Sequence, residues 1–295
     1  MRVLLTGAGG FIGSYIARQL VREGHEVHAL VRPRTDLWRI TDIEPSLQFI
    51  RGDLLNPSFG LPSSDFDLCV HLAWYVEPGK YLHSSLNKDW VEASLRLARY
   101  LKLTGCRRFV AAGTCFEYAT SDPPQHESTP TVPSTVYVQS KLELLQALPS
   151  VGIDFAWARF FYQYGPYEDS RRLMPVIINL LRRGEETQLV PGDRIRDYLH
   201  IEDVASAVCA VAQSSLTGAV NIGSGEPVTV RDVALKIGSL LDRVDLIKLG
   251  ARPWSPTEPM HLLADNTKLR EGTGWKPRYN LEDGLRQTID WWKSR

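Results

Sequence analysis

The chain has 295 residues, 43% hydrophobic and 23% charged, with Lys+Arg and Asp+Glu equal at 34 each. That balance excludes a global field favouring nucleic acid or an anionic membrane. No apolar run approaches the roughly 20 residues of a membrane span. The length suits one large or two interlocked domains with a substantial core. The opening Met1-Arg2-Val3-Leu4 runs straight into a glycine turn rather than a leader, so a cytoplasmic location is expected. Cys69, Cys106, Cys115 and Cys209 show neither CxxC nor His-paired spacing. Reduced buried thiols and no metal site are expected.

Residues 3–13, VLLTGAGGFIG, read as a buried strand breaking into a glycine turn, and SYIARQLVREG continues as an amphipathic helix. Gly7, Gly10 and Gly13 let the turn take positive φ and let backbone N–H groups approach a pyrophosphate. The helix start at Gly10, Phe11 and Ile12 adds a partial positive charge. Ser14 is placed to cap the helix or touch phosphate. Dinucleotide binding follows from a glycine triplet at a strand-to-helix junction.

Short apolar runs follow at 25–31, 47–53, 66–73 and 107–113. Between the last two, a helix is predicted over 86–105, with Leu86, Trp90, Ala93, Leu97 and Leu101 on one stripe, widened by Val91, Leu95 and Ala98. Such alternation predicts an α/β fold, a doubly wound parallel sheet of Rossmann type. Another strand is expected at 152–160, after a helix starting near Tyr137. From about 161 the pattern loosens into loops with interspersed helices. The expected division is a dinucleotide-binding domain at 1–160 and a substrate-binding lobe at 161–295, part of which returns to the first domain.

Tyr137 and Lys141 stand at i and i+4 on that helix, so both share a face. A neighbouring ammonium favours phenolate, making Tyr137 a usable proton donor or acceptor near neutral pH. Thr114, after the strand RRFVAAG, lies at the carboxyl end of the sheet, where such folds bind ligands. In this picture Tyr137 protonates a carbonyl oxygen and Thr114 hydrogen-bonds it. Lys141 holds the cofactor ribose and tunes Tyr137.

Across nearly its whole length the chain resembles an extended short-chain dehydrogenase/reductase of the nucleotide-sugar epimerase/dehydratase family. The motifs fall in family order: TGAGGFIG (6–13), GDL (52–54), HLA (71–73), GTCFEY (113–118), YVQSK (137–141), RFFYQYGP (159–166), RDYLHIEDVA (196–205), NIGSGEPVTV (221–230) and GWKP (274–277). The resemblance implies that Asp53 and Leu54 border the adenine and Ala73 the nicotinamide side. It places Thr114 and Cys115 beside the sugar, with Arg196 and Arg252 on the diphosphate. It further implies a homodimer built on the helices at 86–104 and from Tyr137 onward.

Three departures narrow the chemistry. Dehydratases of the family carry Asp-Glu after the catalytic Thr, and here Cys115-Phe116 stand there, which removes the acid and base that expel water. Glu117, read on an extended strand, points away from Phe116 and makes a structural hydrogen bond. The acidic residue that ends the second strand is replaced by Val31, followed by Arg32-Pro33-Arg34. Guanidiniums at Arg32 and Arg34 suit a 2′-phosphate, so NADP(H) is favoured over NAD(H). Tyr162 replaces an asparagine that contacts the diphosphate, and no role is carried to it.

The expected function is NADPH-dependent reduction of a nucleotide-linked 4-keto-6-deoxy sugar at C4. The alternatives are a nucleotide-sugar 4-epimerase recycling bound NAD, a reductase of a free small ketone, aldehyde or alcohol, and a non-catalytic NADP(H) sensor. His71 and His200 are expected to pack or bond locally. For Trp254, Trp275, Trp291 and Trp292, lid, nucleoside stacking and core all stay open. Trp74, Tyr75 and His83 are candidates for shaping the sugar pocket.

Overall fold

A computed structural model of the chain describes residues 1–61, 65–119, 124–253 and 259–295. In chain order the first elements are β1 (Arg2–Thr6), α1 (Phe11–Arg22), β2 (Glu26–Val31), β3 (Leu47–Arg51), β4 (Leu68–His71), α2 (Leu86–Leu103), β5 (Arg108–Thr114), α3 (Val136–Ala147) and β6 (Asp154–Phe160). Then come β7 (Tyr162–Tyr164), α4 (Leu173–Arg182), β8 (Thr187–Gln188), β9 (Ile195–His200), α5 (Ile201–Ala212) and β10 (Gly218–Ile222). The chain closes with β11 (Pro227–Thr229), α6 (Val230–Leu240), β12 (Ile247–Lys248), β13 (His261–Leu262), α7 (Thr267–Thr273) and α8 (Leu281–Lys293).

Seven parallel strands form one sheet in the order β10-β6-β5-β4-β1-β2-β3. The α/β, doubly wound parallel sheet of Rossmann type is thus the fold adopted. Its inner strands are buried on both faces, as continuous apolar runs such as Val3-Leu4-Leu5 require, while the edge strand β3 is partly exposed. The direction of winding reverses between β1 and β4, which opens a crevice at their carboxyl ends. Beyond residue 160 the chain comes back to this sheet, where α5 packs on α1 and β10 pairs with β6. A second, small sheet runs β11-β9-β13, with β7 also paired to β9. Over it, α4, α6 and α8 bury Ile177, Ile178, Val233, Ile237, Leu285 and Ile289.

The stripe on α2 is used inside the chain. Trp90, Val91, Ala93, Leu95, Leu97, Ala98 and Leu101 are all buried, between the sheet and α3. Leu86 is exposed instead, and the outward face carries Lys88, Asp89, Glu92, Arg99 and Lys102. The apolar surface on which an intersubunit bundle was expected is therefore covered by the chain's own sheet and α3. The helix also stops earlier than the stripe predicts, because Gly105 takes φ +87 just beyond it. Among the described residues no helix is long and apolar enough to cross a membrane. All four cysteines are buried and unpaired.

His71 ties three elements together. One ring nitrogen lies 2.8 Å from Thr6 Oγ1 on β1, the other 2.8 Å from Ser94 Oγ on α2. Burial pushes its pKa from 6.5 down to about 3. The unfolded chain therefore takes up a proton that the folded chain refuses. The contribution is fully present above the unfolded pKa and is lost as pH falls from 6.5 towards 3. In urea unfolding midpoints measured across that window, His71→Asn should show a shallower acid loss than the parent. Parallel slopes would contradict the assignment.

Candidate active site

Above the carboxyl ends of β1, β2 and β4 lies a cleft of about 610 Å³. Its floor is the glycine turn. Gly7 takes φ +78, and its carbonyl accepts the Gly10 N–H at 2.9 Å. A Cβ at Gly7 would lie 3.0 Å from Ala73 N, so β1 and β4 approach closely only over a bare glycine. A Cβ at Gly13 would run into Gly7 O, which fixes why the third glycine is needed. No acidic residue occupies the first turn of α1, which leaves its N–H groups free for an anion. These features fit a dinucleotide's pyrophosphate.

Gly7, Gly10, Arg32, Asp53, Leu54 and Ala73 all line this cleft. Phe11 and Ile12 instead pack their side chains on the core, and Gly13 is buried, so these three face the cradle only through backbone. Arg34 is exposed and lies outside the lining. Ser14 does not reach the turn. Its hydroxyl donates to Phe11 O at 2.9 Å, a bond spent within the helix. Val31 is buried at the end of β2, and the only lining carboxylates among the described residues are Asp53 and Glu77.

The corner that gathers Thr114, Tyr137 and Lys141 is built at the end of β5. Thr114 caps a single 3-10 turn over Cys115–Glu117, where its hydroxyl accepts from Phe116 N and Glu117 Oε1 accepts from Thr114 N at 2.8 Å. The expectation of an extended strand at Glu117 is thus wrong, because this reciprocal cap curls the chain. Glu117 is a structural hydrogen-bonding residue as expected. It is fully buried and accepts from Trp157 Nε1 at 3.0 Å and Arg159 Nε at 2.7 Å. Thr135 caps α3 through Val138 N, which starts the helix one residue before Tyr137.

Tyr137 is buried with its phenol close to Thr114. Lys141, one turn further, donates to Ala112 O at 2.8 Å. Its Nζ lies 3.6 Å from the Trp74 ring centre and 5.8 Å from that of Tyr137. The electrostatics differ from the expectation of a lysine-lowered phenol. Burial pushes Tyr137 well above its usual value, with Tyr81, Glu117 and Cys115 adding to the rise. Burial also pushes Lys141 from 10.5 down to about 7, opposed by Glu117. A dry pocket penalises both charged forms, which favours the neutral phenol.

Cys115 and Phe116 border this corner. Phe116 packs against both Tyr137 and, edge to face at 6.2 Å, Tyr162. Tyr162 in turn lies under the Arg196 guanidinium at 5.4 Å. Arg196 is buried and donates to Ile195 O at 2.8 Å. Arg252 is exposed, its amide donating to Leu189 O. Trp254 lies outside the described residues. Trp275 is buried, with Nε1 on Ser206 Oγ at 2.9 Å. Trp291 and Trp292 line a separate cavity with Trp38 and Glu168. Tyr75 lines the cleft, and His83 is exposed in a 3-10 turn. His200 caps α5 by accepting from Glu202 N.

Trp74, Trp157 and Arg159 are the functional neighbours that sequence reasoning assigns too little. Register carried a signal for the last, because Gly113 pairs with Arg159 and Thr114 with Phe160. An arginine opposite the residue before Thr114 predicts a buried acid partner within reach. The position of the Trp74 ring over Lys141 had no such signal.

A doubly wound sheet, a glycine cradle and a Thr-Tyr-Lys corner together define an enzyme of the NAD(P)-dependent short-chain dehydrogenase/reductase type. Residues 3–223 match the NAD dependent epimerase/dehydratase family, and the chain belongs to that family. It is 28% identical, over 98% of its length, to a trifunctional UDP-glucose 4,6-dehydratase/UDP-4-keto-6-deoxy-D-glucose 3,5-epimerase/UDP-4-keto-L-rhamnose-reductase of Arabidopsis thaliana, covering 47% of that protein. The chain thus spans about half the length of this relative. Among solved structures it is similar to a UDP-N-acetylglucosamine 4-epimerase from Methanobrevibacter ruminantium M1, in complex with UDP-N-acetylmuramic acid. There the TM-score is 0.90 and the identity 24%, over 99% of this chain and 98% of that one. An NAD-dependent NDP-hexosamine 5,6-dehydratase of tunicamycin biosynthesis follows at TM-score 0.82 and 28% identity, covering 100% and 98%.

Glu117 supports this corner, so its loss is measurable as stability. Glu117→Ala strands the Arg159 guanidinium in the core, and breaking a buried pair costs about 3–5 kcal/mol. Thermal unfolding should fall by many degrees, and an unchanged melting temperature would exclude the supporting role.

Proposed function

We propose that the protein reduces the 4-keto group of a nucleotide-linked 4-keto-6-deoxy sugar, using NADP(H). The observation that carries this reading is a buried Tyr137 packed against the Cys115–Phe116 wall. Burial also pushes the Cys115 thiol up, so this wall supplies no base. A site with a donor and no acid-base pair suits carbonyl reduction and opposes loss of water. The phenyl ring also suits a C6 methyl better than a hydroxymethyl group.

The cleft over Gly7, Gly10 and Arg32 would hold the cofactor, which would supply the hydride for reduction at the sugar C4. Tyr137 donates its phenolic proton to the carbonyl oxygen as negative charge develops there. Thr114 donates a hydrogen bond to the same oxygen, and Lys141, when protonated, stabilises the phenolate left on Tyr137. Arg196 and Arg252 bind the substrate diphosphate. Arg32 lines the cleft beyond β2, where Val31 replaces a ribose-gripping carboxylate, and this supports a 2′-phosphate contact.

Incubated with a panel of nucleotide-linked 4-keto-6-deoxy sugars, the purified protein should consume NADPH. Tyr137→Phe should lower kcat by about 10²–10⁴-fold. NADPH left untouched across the panel would refute the reductase reading. Copurified NAD⁺ with interconversion of intact nucleotide sugars and no net redox change would establish the 4-epimerase instead.

Arg32→Ala should raise KM for NADPH about ten- to a hundredfold while leaving NADH kinetics unchanged, since a hydrogen bond to a charged group contributes about 1.5–3 kcal/mol. Equal effects on both cofactors would remove the 2′-phosphate assignment.

A further inference from the structure

Lys141 is held in an aromatic box. Its Nζ lies 3.6 Å from the Trp74 ring centre and 5.8 Å from those of Tyr137 and Trp157. The ammonium donates to Ala112 O, and the indole face fills a direction where water would otherwise solvate it. Trp74 is itself fixed. Its Nε1 donates to Asn87 Oδ1 at 2.8 Å, and its ring stacks on Trp90 at 6.1 Å and 27°. Asn87 is fully buried and donates to Tyr81 O and Ser84 O. The start of α2 therefore sets where the indole lies. Trp74 also lines the cofactor cleft, directly after Ala73.

We propose that Trp74 is a positioning residue whose ring face seats the Lys141 ammonium and keeps it protonated beside Tyr137. This deepens the reductase reading and rests on it for its catalytic consequence. A cation over an indole is attracted by the ring quadrupole, most strongly where water is excluded. Burial drives Lys141 towards the neutral amine, and even with Glu117 opposing it the ammonium is brought down to about 7. The groups facing it are few. Glu117, in the turn after β5, favours the charged form. His71 of β4 is kept neutral by burial and by Lys141 itself. Tyr137, on the same helix, is held protonated. Arg159 of β6 is matched by Glu117. The carboxylate, the Ala112 carbonyl and the indole therefore hold the charge in place, and of these only the indole is a side chain that packs its face on Nζ. A neutral Lys141 would offer Tyr137 no counter-charge once its proton has left.

The test compares Trp74→Leu, which removes the ring, with Trp74→Phe, which keeps a face but loses the N–H. Lysine-labelled protein is titrated by NMR, with the Lys141 signal assigned through Lys141→Arg. The leucine variant should titrate about one pH unit lower than the parent, and the phenylalanine variant should recover most of the shift. The alkaline limb of kcat/KM should move down by the same amount, because activity is lost as Lys141 deprotonates. Coincident titrations for parent and leucine variant overturn the inference. A shifted titration in a protein that reduces no 4-keto sugar upholds the seating of Lys141 and sinks only the reductase reading. Where Trp74→Leu does not fold, Asn87→Ala frees the indole while leaving it present. A downward shift there supports the proposal, and none overturns it.

Discussion

The corner that gathers Thr114, Tyr137 and Lys141 depends on one buried carboxylate. Glu117 closes the cap on Thr114, accepts from Trp157 and neutralises Arg159, all without solvent. A carboxylate in such a place is tolerated only when its lone pairs are met and a cation stands beside it. Those partners come from β5 and β6, so the ion pair fixes the two strand ends relative to each other. Gly113 takes part by having no side chain, since a Cβ there would run into the Trp157 indole. The same carboxylate also favours the charged form of Lys141. Structure and chemistry thus share a single anion.

The cleft obeys a related constraint at the other side of the switch point. Close approach of β1 and β4 needs a bare Gly7, and seating α1 over the turn needs a bare Gly13. His71 then bridges β1 to α2 and holds the same two strands from inside. Anion binding follows from geometry rather than from net charge, which is zero for the chain. The positive end of α1 and Arg32 concentrate what little field the cleft requires.

Much of this arrangement was legible in the sequence. The strands expected at 25–31, 47–53, 66–73, 107–113 and 152–160 form as β2, β3, β4, β5 and β6, shifted only at their ends. Continuous apolar runs bounded by turns carry that information locally. Gly7, Gly10 and Gly13 were equally readable, because their spacing reports a steric need. The turn over Cys115–Glu117 was not, since the reciprocal cap competes with strand propensity and only the buried Arg159 decides it. Nor was the sheet's last strand, Gly218–Ile222, whose place beside β6 depends on α5 crossing over α1. The stripe on α2 was read correctly as apolar, but periodicity cannot say whether a sheet or a second chain covers it.

The difference between the expected and observed electrostatics bears most on the reaction. A lysine four residues from a tyrosine invites the idea of a phenolate at rest. In the folded chain burial acts on both groups, raising the phenol and lowering the ammonium. The resting pair is therefore a neutral acid beside a lysine close to its own titration point. Such a pair gives up a proton most readily when charge moves onto a neighbouring oxygen, because the phenolate then formed recruits the ammonium. The favoured direction is proton delivery. Among the described residues, the carboxylates near Cys115 are bound elsewhere, Glu117 to Arg159 and Asp197 to Ser224, Gly225 and Ala264. That commitment of the carboxylates to structure is what the proposed reductase reading rests on, with Tyr137 as the proton donor and a bound cofactor as the hydride source.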